Sequence, residues 1–220
     1  MVLETAQSAQ AAEVAPAAEV AGILDRLRRR FTVDEYYRMA EAGILHPEER
    51  VELLDGEIIQ MSPIGSPHAS SVKRLNHVFS RSVGQRAVVS VQDPIRLNGR
   101  SEPEPDLALL RPRADFYAGA HPRPEDILLV VEVADSSTAY DRRVKLPRYA
   151  QAGIPEVWLL VLAEPRDSGT TGNTGTSLEV YRQPSSQGYR LVLRPRRGER
   201  LAPRLLPDVE LAVDEVLGEE

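Results

Sequence analysis

Apolar positions change their spacing several times along this chain, and each change marks an element. Met1 to about Val20 is rich in Ala, Gln and Glu without any apolar period, which predicts a disordered or weakly helical tail. From Ala21 the run AGILDRLRRR is amphipathic, and Thr32 followed by Glu35 reads as a capping box that opens a second helix through Ala40. In VELLDGEIIQM, Asp55-Gly56 lies between two apolar runs, the signal of a two-residue hairpin turn. Pairing across that turn sets Glu52 opposite Ile59 and on the face of Leu54, with Val51, Leu53 and Ile58 on the other. Both faces are partly apolar, so Glu52 needs a partner: open solvent, a metal or an arginine would each serve.

After MSPIGSP, His68 to Val83 reads as a helix, with strands near Ala87 to Gln92 and Pro94 to Leu97. Pro103 and Pro105 break the SEPEP segment, and Asp106 to Leu110 (DLALL) predicts a short buried strand. Ile127 to Val133 (ILLVVEV) is too apolar for an exposed edge and predicts a central strand covered on both faces. Thr138 with Asp141 three residues on predicts the cap of the next helix, which Ile154-Pro155 ends, and VWLLVL then forms a second buried strand. Pro147 falls inside that helix, where its missing N–H predicts a bend. Two apolar strands joined by a helix imply a right-handed parallel crossover. Asp167 to Ser177 reads as a flexible loop, and Leu178 to Tyr181 with Tyr189 to Leu193 as an outlying hairpin. The middle of the chain therefore runs helix, three strands, helix, strand.

A length of 220 residues with 42% hydrophobic positions suits one substantial core, hence a single domain over residues 21–220 behind the tail. The absence of cysteine excludes disulfides and thiolate zinc sites, leaving oxygen or imidazole to hold any metal. No basic and apolar leader and no run of roughly 18 apolar residues is present, so a soluble, cytoplasmic protein is expected. A formal net charge of -6 argues against coating nucleic acid by bulk attraction. Two local basic patches stand out, Arg190 to Arg204 and the group Arg142, Arg143, Lys145 and Arg148; a solvated face explains either one alone.

Candidate chemistry comes from two carboxylates. Asp106 opens one predicted strand and Glu132 sits near the C-terminal end of another, so neighbouring strands would bring the two together. Hard oxygen ligands at one point favour Mg2+ or Mn2+, an ion able to polarise a phosphoryl oxygen and acidify a bound water. An ammonium beside that water would orient it and oppose the developing charge, and Lys145 on the following helix can supply it. Of 27 basic residues only Lys73 and Lys145 are lysine, so lysine at position 145 is roughly a one-in-thirteen event if basic identity is random. Asp141, Lys145 and Tyr149 share a helix face, where Asp141 reads as a cap and Tyr149 as packing. His68 alone reads as a capping or structural histidine.

The succession ELLDGE, a helix with His68, PEPD, VVEVADSST and DRRVKLPRYAQAGIPEVWLL resembles the Uma-type (DUF820) restriction-endonuclease family of the PD-(D/E)XK nuclease superfamily, over roughly Phe31 to Leu162. That resemblance implies an α/β fold, a restriction-endonuclease-like mixed sheet flanked by helices with N-terminal and C-terminal hairpin additions. It also implies a metal-dependent endonuclease acting on DNA. By its motifs Asp106 and Glu132 are the metal ligands, Glu52 the upstream acid and Lys145 the catalytic lysine displaced onto the helix. The superfamily's usual lysine lies two residues after the glutamate, where this chain has Ala134, so catalysis depends on Lys145 reaching the site. Arg142, Arg143 and Arg148 are then candidate phosphate contacts, DNA the expected partner, and a homodimer would cut both strands. The competing reading is a catalytically inactive nuclease-like module that binds nucleic acid or protein. A carboxylate-pair hydrolase of sugars would leave Lys145 without a role.

Overall fold

The computed structural model describes residues 17–135, 137–162 and 175–218. The tail expected over Met1 to Val20 lies outside them as far as residue 16, as does the loop expected over Asp167 to Ser177 as far as residue 174. By compactness the chain divides into Met1–Arg30, which contains helix α1 (Ala17–Leu27), and Phe31–Glu220.

In the second unit α2 (Val33–Glu41) opens on the expected capping box: Thr32 Oγ1 accepts from the Glu35 N–H at 3.2 Å, and the Glu35 carboxylate accepts from the Thr32 N–H at 2.9 Å. Strands β1 (Val51–Leu54) and β2 (Glu57–Gln60) form the predicted hairpin in the predicted register, Glu52 opposite Ile59. Asp55 and Gly56 both take positive φ, 50° and 77°, as the tight turn requires. Helix α3 (Ser66–Val83) follows.

A six-stranded mixed sheet runs in the order β3 (Val88–Ser90), β4 (Leu107–Leu110), β5 (Ile127–Ala134), β6 (Glu156–Val161), β7 (Ser177–Ser185), β8 (Gly188–Leu193). Among the described residues of this sheet only β5 and β6 pair in parallel. Between them lie α4 (Thr138–Tyr140), a π-helical turn (Asp141–Lys145) and α5 (Leu146–Gln151). Short strands β9 (Arg200–Leu201) and β10 (Leu211–Ala212) and helix α6 (Val213–Leu217) complete the described chain.

Each face of the sheet carries a core. Val131, Val133, Phe79 and Trp158 belong to the cluster beneath α3 and α6, with the Phe79 and Trp158 rings 5.6 Å apart. Val130, Ala134, Tyr149, Val157 and Leu159 belong to the cluster on the α5 side. Strand alternation then sets Glu132 on the α5 face, between Val130 and Ala134 in an otherwise apolar row.

Three expectations need correction. Residues 94–97 form no strand: Gln92 turns the backbone at φ 55°, and the segment bonds irregularly, Ile95 N to Pro103 O and Leu97 N to Ser101 O. The hairpin of β7 and β8 is not outlying, because β7 pairs with β6 along its length and extends the sheet. Ser137 rather than Thr138 caps the helix after β5, and its hydroxyl donates to Asp141 Oδ2 at 2.6 Å. The π turn also accounts for Pro147. Leu146 N bonds Asp141 O five residues back, and Pro147 falls in the first turn of α5, where its missing N–H costs little.

Candidate active site

Antiparallel pairing of β4 with β5 sets Leu107 opposite Val131, so the residue before β4 lies beside the C-terminal end of β5. Asp106 occupies that position, and its Oδ2 accepts the Val133 N–H at 2.8 Å. The hairpin brings in Glu52 from another direction. Its place is fixed by backbone bonds to the 100–102 loop, Gly56 N to Arg100 O at 2.7 Å and Glu102 N to Leu53 O at 2.8 Å. Lys145 arrives from the π turn. Its ammonium lies 3.1 Å from Glu132 Oε1 and 3.3 Å from Glu52 Oε2, and it donates to Glu104 O at 3.3 Å. Two of the three N–H groups of the ammonium make hydrogen bonds, to Glu132 and to the Glu104 carbonyl, while the Glu52 contact is an ion pair.

The four predicted site residues therefore meet on one cavity of about 310 Å³. Glu52, Glu132 and Lys145 are 2%, 3% and 5% exposed. Burying an unpartnered carboxylate costs several kcal/mol, about as much as a small domain can spare, so each of these acids must be satisfied by the fold. Glu132 Oε1 also accepts the Tyr149 hydroxyl at 2.6 Å, and Oε2 takes no hydrogen bond among the described residues. Glu52 accepts the Tyr140 hydroxyl at 2.9 Å and the Glu104 N–H at 3.1 Å.

Burial pushes the Glu132 carboxyl above the ordinary glutamate range, with the Lys145 ammonium pulling the other way and favouring the carboxylate. Burial alone would depress Lys145, yet Glu132, Glu52, Asp141 and Asp106 outweigh it and raise its pKa, so the ammonium stays charged at neutral pH. Asp141 is raised by burial and Glu104 by burial next to Glu52.

Sequence reasoning passed over several residues at this site. His68, read as structural, faces Asp106 with Nε2 3.1 Å from each carboxylate oxygen, and that bond raises its pKa against the opposing effect of burial. Its Nδ1 is buried without a partner among the described residues. Tyr149, read as packing, is a hydroxyl donor to Glu132. Asp141, read as a cap, lines the cavity and is buried. A tyrosine four residues after Lys145 was the available signal, whereas His68 meets Asp106 from 38 residues away and had none.

The three arginines expected to contact phosphate do not line the cavity. Arg142 Nε is 3.0 Å from Glu179 Oε2, Arg148 is 2.6 Å from Asp55 Oδ2, and Arg143 is exposed on the π turn. In the second basic patch Arg194 pairs with Glu179, Arg197 with Asp214 and Arg200 with Glu210.

Among the described residues no group of three or more acids and histidines is arranged to hold a metal. Asp106 and Glu132 supply two hard carboxylates with one uncommitted oxygen on Glu132, a donor set that fits an ion such as Mg2+, which binds through one or two carboxylates and keeps its waters. Among the described residues no helix is long and apolar enough to cross a membrane.

A family model described as Uma2, "Putative restriction endonuclease", matches residues 33–214. The fold is also similar to the crystal structure of "a putative nuclease belonging to DUF820" from Anabaena variabilis, with a TM-score of 0.59 at 16% identity, covering 85% of this chain and 97% of that one. A search of curated proteins found no match.

Proposed function

The chain belongs to the Uma2 family of restriction-endonuclease-like proteins, and from that premise we propose that it is a metal-dependent endonuclease hydrolysing the phosphodiester bonds of DNA. The observation that carries this reading is the meeting of Asp106, Glu132 and Lys145, from three separate elements, on one cavity.

Asp106 and Glu132 would hold Mg2+ or Mn2+, which when bound supplies Lewis-acid polarisation of a phosphoryl oxygen and an acidified water. Tyr149 and Lys145 pin Oε1 of Glu132 and leave Oε2 without a hydrogen bond among the described residues. Val133 N–H and His68 fix the Asp106 carboxylate. Lys145, held by Glu52 and the Glu104 carbonyl, contributes a positive charge at a fixed place, where it would oppose the negative charge building on the phosphoryl oxygens. Two of its N–H groups are committed to Glu132 and the Glu104 carbonyl, so its role rests on charge, on orienting Glu132 and on the third N–H group. Glu52 acts by holding the lysine.

Purified protein incubated with plasmid and with single-stranded DNA in Mn2+, then with chelator, tests the proposal. Cleavage that needs the ion and stops with the chelator is expected. No cleavage of either DNA would overturn it in favour of a non-catalytic binding module, the reading that the matched arginines favour.

A further inference from the structure

We propose that Arg50, at the open end of the hairpin, is the residue that grips the substrate's phosphate at the mouth of the cavity. This inference rests on the phosphodiesterase reading of the site and replaces the arginines of the π turn and α5 as the phosphate contact. An anionic backbone entering this cavity meets the carboxylates of Glu52, Glu104, Asp106, Glu132, Asp135 and Asp141. Among the residues lining the cavity the permanently charged cations are Lys145 and Arg50. Lys145 is buried, ion-paired with Glu132 and Glu52, and hydrogen-bonded to Glu132 and the Glu104 carbonyl.

Arg50 differs in each respect. It is partly exposed, and among the described residues it makes no ion pair. NH1 donates to Ser62 O at 3.0 Å, and the Arg50 carbonyl accepts the Met61 N–H at 2.8 Å, so the side chain is anchored across the base of the hairpin while its other N–H groups remain available. Arg50 lines the cavity together with His68 on α3 and Glu104 ahead of β4, so its side chain belongs to the cavity wall. A planar fork with free donors, on the same cavity as the two proposed metal ligands, suits a phosphate better than a flexible ammonium does.

The test compares wild type, Arg50→Ala and Arg50→Lys for Mn2+-dependent cleavage of a short duplex across a salt series. In parallel, anisotropy measures binding of the same fluorescein-labelled duplex by the Asp106→Asn protein with and without Arg50→Ala. The alanine variant is expected to raise KM and weaken binding about tenfold and to lower the salt slope by about one, with lysine keeping the slope and recovering part of the loss. Unchanged KM, binding and slope in a protein that still cleaves would overturn the role of Arg50 alone. A wild-type protein that neither cleaves nor binds the duplex would overturn the nuclease reading together with it.

Discussion

The ammonium of Lys145 lies 3.1 Å from Glu132 Oε1, although one is on strand β5 and the other on the π turn that follows it. The same nitrogen reaches Glu52 at 3.3 Å, so a single buried cation joins the central sheet to the hairpin. That arrangement ties stability to the proposed chemistry, and variants at these positions have to be read on both scales.

Lys145→Met removes the cation and leaves two buried carboxylates facing each other. Breaking one side of a buried pair typically costs about 3–5 kcal/mol, more than replacing both members. We expect Lys145→Met to lose stability in that range by urea unfolding at pH 7, and Lys145→Met with Glu132→Gln to recover half or more of it. A single variant as stable as wild type would show that the pair is not formed.

Tyr149 is fully buried, and its hydroxyl makes a 2.6 Å bond to Glu132. Tyr149→Phe keeps the ring in the α5-side core and deletes only that donor, so the expected loss is about 1.5–3 kcal/mol, the range for a hydrogen bond to a charged group. Its unfolding midpoint should drop accordingly while the cooperativity of unfolding stays that of wild type.

Much of this architecture was legible in the chain. Asp55-Gly56 located the hairpin and its register placed Glu52, because a two-residue turn leaves only one pairing. The apolar runs of β5 and β6 with a helix between them gave the parallel pair, and the isolated acid in ILLVVEV marked the site. What escaped depends on partners far apart in sequence. Glu179 claims Arg142 from 37 residues away, and Asp106 claims His68 from 38, so neither arginine count nor helix phase reveals which charges are already matched. Residues 94–97 misled through composition: Ile95 and Leu97 are buried in the α5-side core, as strand residues would be, yet the backbone after Gln92 bonds to a loop. Pro147 reads as a helix breaker until the π turn is known, since the shift to i−5 bonding is a tertiary accommodation.

Glu179 offers a pH test away from the cavity. Burial alone would raise its pKa, but bonds from Tyr181, Arg142 and Arg194 outweigh it and hold it below the ordinary glutamate value. A carboxylate depressed in the folded state adds stability that is present above its unfolded pKa and is lost as pH falls through the folded one. Glu179→Gln should therefore cost about 1–3 kcal/mol at pH 7, with the gap to wild type closing as pH drops below roughly 4.5. Thermal unfolding of both proteins between pH 7 and pH 3 measures this, and a gap independent of pH would place the effect in packing.

Asp106→Asn separates chemistry from folding more cleanly than any change at Lys145. Asp106 is partly exposed to the cavity, and asparagine keeps an oxygen able to accept the Val133 N–H. The substitution removes a negative charge from the proposed metal site without leaving a buried cation unpaired, because Lys145 is held by Glu132 and Glu52 instead. We expect Mn2+-dependent cleavage to fall by at least about a hundredfold, as for loss of a principal electrostatic contributor, with the unfolding midpoint within a few degrees of wild type. The His68 partner makes the direction of the stability change informative: losing the Asp106 charge should weaken an interaction that raises the His68 pKa, so any destabilisation should be larger at pH 6 than at pH 8. Cleavage that survives in Asp106→Asn would remove this carboxylate from the reaction.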